Sequence, residues 1–198
     1  MTEDFKILLD EAERFHGHLC AGLVIGARMA VAGLRELGIR EPKGREGMNL
    51  VIWVEIDRCP VDAIIALTGR TPGRRSIKMI DYGKQAATFV DTRTPDAVRV
   101  SVRTGCLEKA ELMAKGLGGF NDQRIALHEA LASMPEEQLL ALSRVSVTIG
   151  AQDLPGETLA TTICQKCGET VKDGRQAVVD GDVFCRPCAL GRSYYEEI

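Results

Sequence analysis

The sequence predicts an α+β protein: a mostly antiparallel sheet packed with helices, plus a small C-terminal finger. Three observations predict it. Helical and strand patterns follow one another in mixed order, not in strict alternation. A strongly apolar, β-branched run at 49–56 reads as a strand at the heart of a sheet. Two matched Cys-x-x-Cys pairs, Cys164/Cys167 and Cys185/Cys188, stand 17 residues apart near the end of the chain, the spacing of a four-thiolate metal site.

The elements follow in order. Thr2 is placed to cap a helix in which Phe5, Leu8, Leu9, Ala12 and Phe15 recur on one face, and Gly17 ends it. A second helix is predicted over 22–37. Its glycines, Gly22, Gly26 and Gly33, cost nearly 1 kcal/mol each relative to alanine, so they predict the close approach of another backbone. After the strand at 49–56 comes a helix over 60–68, with Pro60 in its first turn and Gly69 as its stop. Strands are predicted over 76–80, 86–90, 97–103 and 145–149, and helices near 107–115, 122–133 and 135–142. The clearest linker is 150–162, with Asp153-Leu154-Pro155-Gly156 and three threonines. The domain expectation is therefore 1–155 for the α+β core and 160–198 for the finger.

Each Cys-x-x-Cys pair puts two thiols on one tight turn. Together Cys164, Cys167, Cys185 and Cys188 supply the four soft ligands of a structural Zn²⁺ site. Gly168 suits the knuckle turn. The stretch 176–184 reads as a hairpin turning at Asp180-Gly181, and the second pair opens a helix with Pro187 in its first turn, running towards Tyr194 and Tyr195. Knuckle, hairpin and helix make a treble-clef-like zinc finger. The competing reading, two redox dithiols, lacks the βαβ setting of a single thioredoxin-like motif. A closed Cys₄ shell stabilises a fold and has no open position for substrate.

Composition excludes several classes. Of the 198 residues, 45% are hydrophobic and 27% charged, at net charge −3, enough for one proper core and no polyanion-binding surface. The finger segment 161–198 holds five Lys/Arg against six Asp/Glu, which argues against nucleic acid and for protein contact. No run is long enough to span a membrane, and Met1-Thr2-Glu3-Asp4 does not resemble the start of a signal peptide. Metal-type cysteine usage then points to a reducing cytoplasm.

A second constellation lies at the first helix junction. Phe15-His16-Gly17-His18-Leu19-Cys20 holds three candidate ligands in six residues. The bland alternative is that the imidazoles cap carbonyls and the thiol packs. Cys59, in Asp57-Arg58-Cys59-Pro60, falls where a strand meets a helix N-terminus, a place where a thiol's pKa is lowered. The segment 68–84 carries Arg70, Arg74 and Arg75, then Lys78, Asp81, Tyr82 and Lys84. It reads as a carboxylate or phosphate loop or as a solvated basic turn. Cys106, without a nearby histidine, reads as structural.

Taken in order, Phe15-His16-Gly17-His18-Leu19-Cys20-Ala21-Gly22, Asp57-Arg58-Cys59-Pro60-Val61-Asp62-Ala63-Ile64, Thr68-Gly69, Asp81-Tyr82-Gly83-Lys84 and Thr88-Phe89 resemble the FmdE family. That family takes its name from one of the components of molybdenum or tungsten formylmethanofuran dehydrogenase. The resemblance implies a dimerising α+β core, a treble-clef finger in some members, and a cleft where His16, His18, Cys20 and Cys59 meet, with Asp57, Lys78, Asp81, Tyr82 and Lys84 nearby. Where the family often has a cysteine after Thr-Gly, this chain has Arg70, which puts a third cleft thiol in doubt. Three functions are expected to compete. The first is an accessory or regulatory metalloprotein of a molybdopterin or tungstopterin oxidoreductase, with structural zinc and a second transition metal in the cleft. The second is an enzyme using Cys59 or Cys20 as nucleophile or redox thiol, with His18 as base and Lys84 or Lys78 stabilising charge. The third is an interaction module without catalysis. A homodimer is expected from the resemblance and from the glycine-rich second helix.

Overall fold

The computed structural model describes residues 1–94 and 96–196. Glu197 and Ile198, the end of the expected finger domain, lie outside the described residues. The chain divides into two compact units, Met1–Thr148 and Ile149–Ile198.

The first unit is α+β, with a five-stranded sheet of order β2-β1-β3-β4-β5. Its strands are β1 (Leu50–Val54), β2 (Ile77–Met79), β3 (Ala86–Asp91), β4 (Ala97–Val102) and β5 (Leu140–Val145). The β1–β2 pair is parallel; β1–β3, β3–β4 and β4–β5 are antiparallel. Register puts Ile52 opposite Phe89, and Phe89 opposite Val98. All three are fully or almost fully buried, so they form one apolar row on one face. The neighbouring row, on the opposite face, carries Trp53, Thr88 and Arg99.

Among the described residues six α-helices accompany the sheet: α1 (Glu3–His16), α2 (Ala21–Glu36), α3 (Pro60–Thr68), α4 (Cys106–Gly116), α5 (Gln123–Ser133) and the single turn α6 (Glu136–Leu139). Thr2 caps α1, accepting the Phe5 N–H at 3.3 Å, and Gly17 ends it in the left-handed region at φ 98°. Such a cap costs a residue with a Cβ more than it costs glycine. α2 is the central helix. It packs on α1, α3, α5 and the strands β3 and β4, and ten of its sixteen residues are buried. No helix among the described residues is long and apolar enough to cross a membrane.

The glycines of α2 are consumed inside the unit. A Cβ on Gly26 would sit 2.4 Å from the Pro60 carbonyl oxygen, and one on Gly33 would sit 2.4 Å from the Phe89 ring. The close approach predicted from these glycines is made by α3 and β3. The glycine-rich helix therefore gives no support to a dimer.

Two more expectations are corrected. The helix at 135–142 and the strand at 145–149 are displaced: α6 stops at Leu139, and the strand occupies Leu140–Val145. The run Leu139-Leu140-Ala141-Leu142 fits either period, and pairing to β4 decides for the strand. Arg70 is 8% exposed and donates to the Gly47 carbonyl at 2.8 Å, so its guanidinium ties the fold together and does not face a loop ligand.

The second unit holds two hairpins and a short helix. β6 (Thr161–Ile163) pairs with β7 (Thr170–Lys172), and β8 (Ala177–Val179) with β9 (Asp182–Phe184), followed by α7 (Arg186–Leu190). Asp180 and Gly181 both have positive φ, at 53° and 92°, the backbone of a type I′ turn. β6 and β7 are not foreseen from the sequence, because threonine-rich strands of three residues look like linker. α7 stops at Gly191, φ 65°, short of the tyrosines.

Candidate metal centres

The cage at the C-terminal end grows from two turns. Cys164 follows β6, and the Gly168 N–H returns to its carbonyl at 2.9 Å, folding Cys164 to Cys167 into a knuckle. Gly168 adopts φ 76°, which closes that turn. The Gln165 N–H donates to the Val183 carbonyl at 2.9 Å, tying the knuckle to β9. Cys185 then takes the N-cap position of α7, and Cys188 lies within that short helix. All four Sγ atoms fall within 4.8 Å of one another. The Cys167 to Cys185 separation is 3.8 Å, the edge of a tetrahedron with metal–sulfur bonds of about 2.3 Å. Backbone N–H groups, that of Cys167 foremost, lower the Cys164 thiol to about 6. The neighbouring sulfur of Cys185 helps push Cys188 up to about 12. One thiolate is thus favoured and the next opposed, a conflict that a divalent cation among the four would remove.

The second group lies in the first unit, where three helix ends converge. His16 is the last residue of α1, Cys20 is the N-cap of α2, and Cys59 is the N-cap of α3. One imidazole nitrogen and two Sγ atoms lie within 4.8 Å of one another, all three residues half-buried. Gly17 turns the chain back, so that α1 ends where α2 begins. β1 delivers the chain through Asp57 and Arg58 to Cys59, and Gly22 lets it come close: a Cβ there would meet the Cys59 Cβ at 3.1 Å.

His16 is held from one side. Its Nδ1 lies 2.7 Å from Asp62 Oδ2, while its Nε2 is buried without a hydrogen-bond partner. Cys20 Sγ accepts the Leu23 N–H at 3.4 Å. Burial first, and then the adjacent Cys59, raise the Cys20 pKa, with the Leu23 amide opposing. A neutral thiol is therefore favoured at Cys20 unless a cation is present.

The remaining expected site residues are placed as follows. His18 is exposed and stands outside the three-donor group, its ring tilted 36° to that of His16 with centroids 4.7 Å apart. Asp57 is exposed in the bend before Cys59. Lys78 is half-buried on the edge strand β2, in register with Trp53. Asp81 closes a turn by accepting the Gly83 N–H at 2.9 Å, and Lys84 Nζ lies 5.8 Å from the centre of the exposed Tyr82 ring. The Tyr82 and Lys84 backbone amides both donate to the Glu55 carbonyl at 3.0 Å, so this turn is pinned beyond the end of β1. None of these six joins the donor group. Cys106 is 2% exposed at the start of α4, and burial raises its pKa.

Asp62 is a functional candidate that sequence reasoning missed. The available signal was its place three residues after Cys59, in the first turn of a helix that opens at a candidate ligand.

Comparison with known proteins shows the family and the fold. The family model described as "FmdE, Molybdenum formylmethanofuran dehydrogenase operon" matches residues 15–141. A protein of Archaeoglobus fulgidus named "Probable S-adenosyl-L-methionine-binding protein" is 35% identical over 95% of this chain. The chain spans 53% of that relative's length. The crystal structure of an FmdE-like protein of the tungsten formylmethanofuran dehydrogenase type, from Syntrophus aciditrophicus, matches with a TM-score of 0.62 at 21% identity. That match covers 96% of this chain and 95% of the other, and at this identity it speaks for the fold.

Proposed function

The chain belongs to the FmdE family, and from that premise we propose that it is a metal-binding accessory or regulatory protein of molybdenum- or tungsten-dependent formylmethanofuran dehydrogenase-type metabolism. Two observations carry the metal reading: one His16 ring nitrogen and two half-buried cysteine sulfurs gather within 4.8 Å of one another, and Nε2 of that ring is buried without a hydrogen-bond partner. A polar atom removed from water without a partner costs free energy that a bound ion would recover. Imidazole plus two thiolates suits zinc, iron or nickel. Three protein donors leave a tetrahedral ion one open position, where the Cys₄ cage leaves none. In this reading the cage of Cys164, Cys167, Cys185 and Cys188 holds structural Zn²⁺ in a treble-clef finger. The cleft of His16, Cys20 and Cys59 binds the responsive metal, and His18 with Asp57, Lys78, Asp81, Tyr82 and Lys84 borders it. The protein works in the cytoplasm as a homodimer beside its oxidoreductase partner.

Elemental analysis of the purified chain tests this. Two metals per chain, falling to one in Cys20→Ala/Cys59→Ala, is the expected result. One metal per chain in the wild type, unchanged in that variant, would remove the cleft from the reading. Thiol alkylation at Cys59 that depends on His18 would favour the enzyme instead. The name of the Archaeoglobus relative suggests S-adenosyl-L-methionine as a ligand, but it describes a protein nearly twice as long. Calorimetric titration of this chain with that molecule separates the two, and no heat is expected.

A further inference from the structure

The cleft contains a fourth group that the donor set does not include. Asp62 lies in the first turn of α3, three residues beyond Cys59, where the helix dipole favours a carboxylate. Its Oδ2 lies 2.7 Å from Nδ1 of His16, 46 residues away in sequence. The His16 side chain is 13% exposed, against 41% for Asp62. The pair therefore runs from a buried ring outward to a carboxylate that water still reaches. An ionised carboxylate accepts only, so beside it a neutral ring carries its proton on Nδ1 and its lone pair on Nε2. That nitrogen has no partner and is buried.

We propose that Asp62 is the positioning residue of the cleft: its carboxylate takes the Nδ1–H of His16 and so presents a bare Nε2 to a divalent ion shared with the sulfurs of Cys20 and Cys59. A carboxylate behind a ligating imidazole fixes the tautomer, holds the ring plane and raises the basicity of the ligating nitrogen. The inference rests on the cleft being a metal site. It adds that α3 supplies two parts of that site from one turn, the Cys59 sulfur and the group that aims His16. Loss of Asp62 should therefore weaken the ion without removing any atom that touches it.

The test uses the full-length chain titrated with Co²⁺, comparing wild type, Asp62→Ala and Asp62→Asn. Cys20→Ala/Cys59→Ala serves as the blank that keeps only the cage. Wild type minus blank gives the cleft spectrum. Asp62→Ala should weaken cleft binding by about 10- to 100-fold, the usual effect of removing such a partner. Asp62→Asn, whose amide oxygen still accepts the Nδ1–H, should lose less. Ring ¹⁵N shifts of His16 in the metal-free protein supply a readout that a merely structural role would not move. Wild type should hold the Nδ1–H tautomer, and Asp62→Ala should show a mixture. Undiminished cleft affinity in Asp62→Ala, or an unchanged tautomer, would overturn the role of Asp62 while leaving the metal site standing. A wild type whose Co²⁺ spectrum equals the blank would overturn the metal site and the positioning role with it.

Discussion

The C-terminal cage and the core cleft both gather cysteine sulfurs to within metal-ligand reach, but they are built in opposite ways. The cage takes its four donors from 164–188, each pair on one turn, around hairpins with three-residue strands. Little apolar surface supports it: Ile163, Val178, Val179 and Leu190 are all exposed, at 43–67%. The cleft takes its donors from residues 16, 20 and 59 at three helix ends that a large buried core fixes in place. In the cage the ion would make the fold; in the cleft the fold makes the place for the ion. Metal removal and core mutation should therefore act on different units.

Chelation gives the largest expected effect. A structural zinc ion held by four thiolates would contribute about 10–16 kcal/mol of apparent binding free energy to folding. Stripping the metal with a strong chelator, or making Cys164→Ala, should therefore abolish slow amide exchange throughout the second unit. Exchange in β1, β3 and β4 should stay slow. Hydrogen exchange read by mass spectrometry checks both halves, and a second unit that stays protected without metal would break the contrast.

Gly26→Ala comes next and should act on the other side of the comparison. The new Cβ would lie 2.4 Å from the Pro60 carbonyl oxygen and 2.5 Å from the Pro60 Cα, backbone atoms that cannot swing away. Overpacking of this kind costs about 1–3 kcal/mol, against roughly 1 kcal/mol gained in helix propensity. Because Pro60 adjoins Cys59, the cleft should lose its metal while the cage keeps its own. A urea melt alongside metal counts per chain tests this, and equal loss from both sites would contradict it.

Arg99→Leu probes the strand that leads into the cleft. Arg99 makes two 2.7 Å hydrogen bonds to Glu55, one to each carboxylate oxygen, and holds the Glu55 carboxyl below the usual carboxylate range. Glu55 is 9% exposed, so the orphaned carboxylate should cost about 2 kcal/mol at neutral pH. The folded pKa is depressed, so this stabilisation is full above the unfolded value of about 4.3 and fades as pH falls through the folded one. The gap in Tm between wild type and variant should accordingly narrow in acid; a gap that widens there would refute the assignment.

How much of this was legible in the sequence follows the same divide. The cage could be read because its ligands are close in sequence and their spacing is itself the signal. The frame of the first unit was also readable, since Thr2, Gly17, Pro60 and Gly69 mark their helix ends by local chemistry. The 140–145 strand was not, because Leu139-Leu140 serves either period until β4 is present to pair with it. His16 and His18 are indistinguishable by local pattern. Only the packing of α1 on α3 brings Nδ1 of His16 to Asp62, and no spacing rule reports a contact across 46 residues. Arg70 looked like a loop cation for the same reason, its acceptor being the distant Gly47 carbonyl.

The smallest expected effect on stability separates the cleft's geometry from its support. In Gly22→Ala the added Cβ would meet the Cys59 Cβ at 3.1 Å, Pro60 Cδ at 3.5 Å and Cys59 Sγ at 3.8 Å. The contact is tight by a few tenths of an ångström and falls mainly on one side chain, so Cys59 can yield. Gain in helix propensity, up to about 1 kcal/mol, roughly offsets that strain, and Tm should move by no more than a few degrees. The Cys59 sulfur is nonetheless pushed from its place beside Cys20, and a ligand set depends on position more finely than a core does. Cleft affinity for Co²⁺ should fall on the order of tenfold, with cage affinity unchanged. If Gly22→Ala instead lowered Tm and left the cleft's affinity intact, the glycine would serve helix packing alone, and the approach of α2 to Cys59 would have no part in building the site.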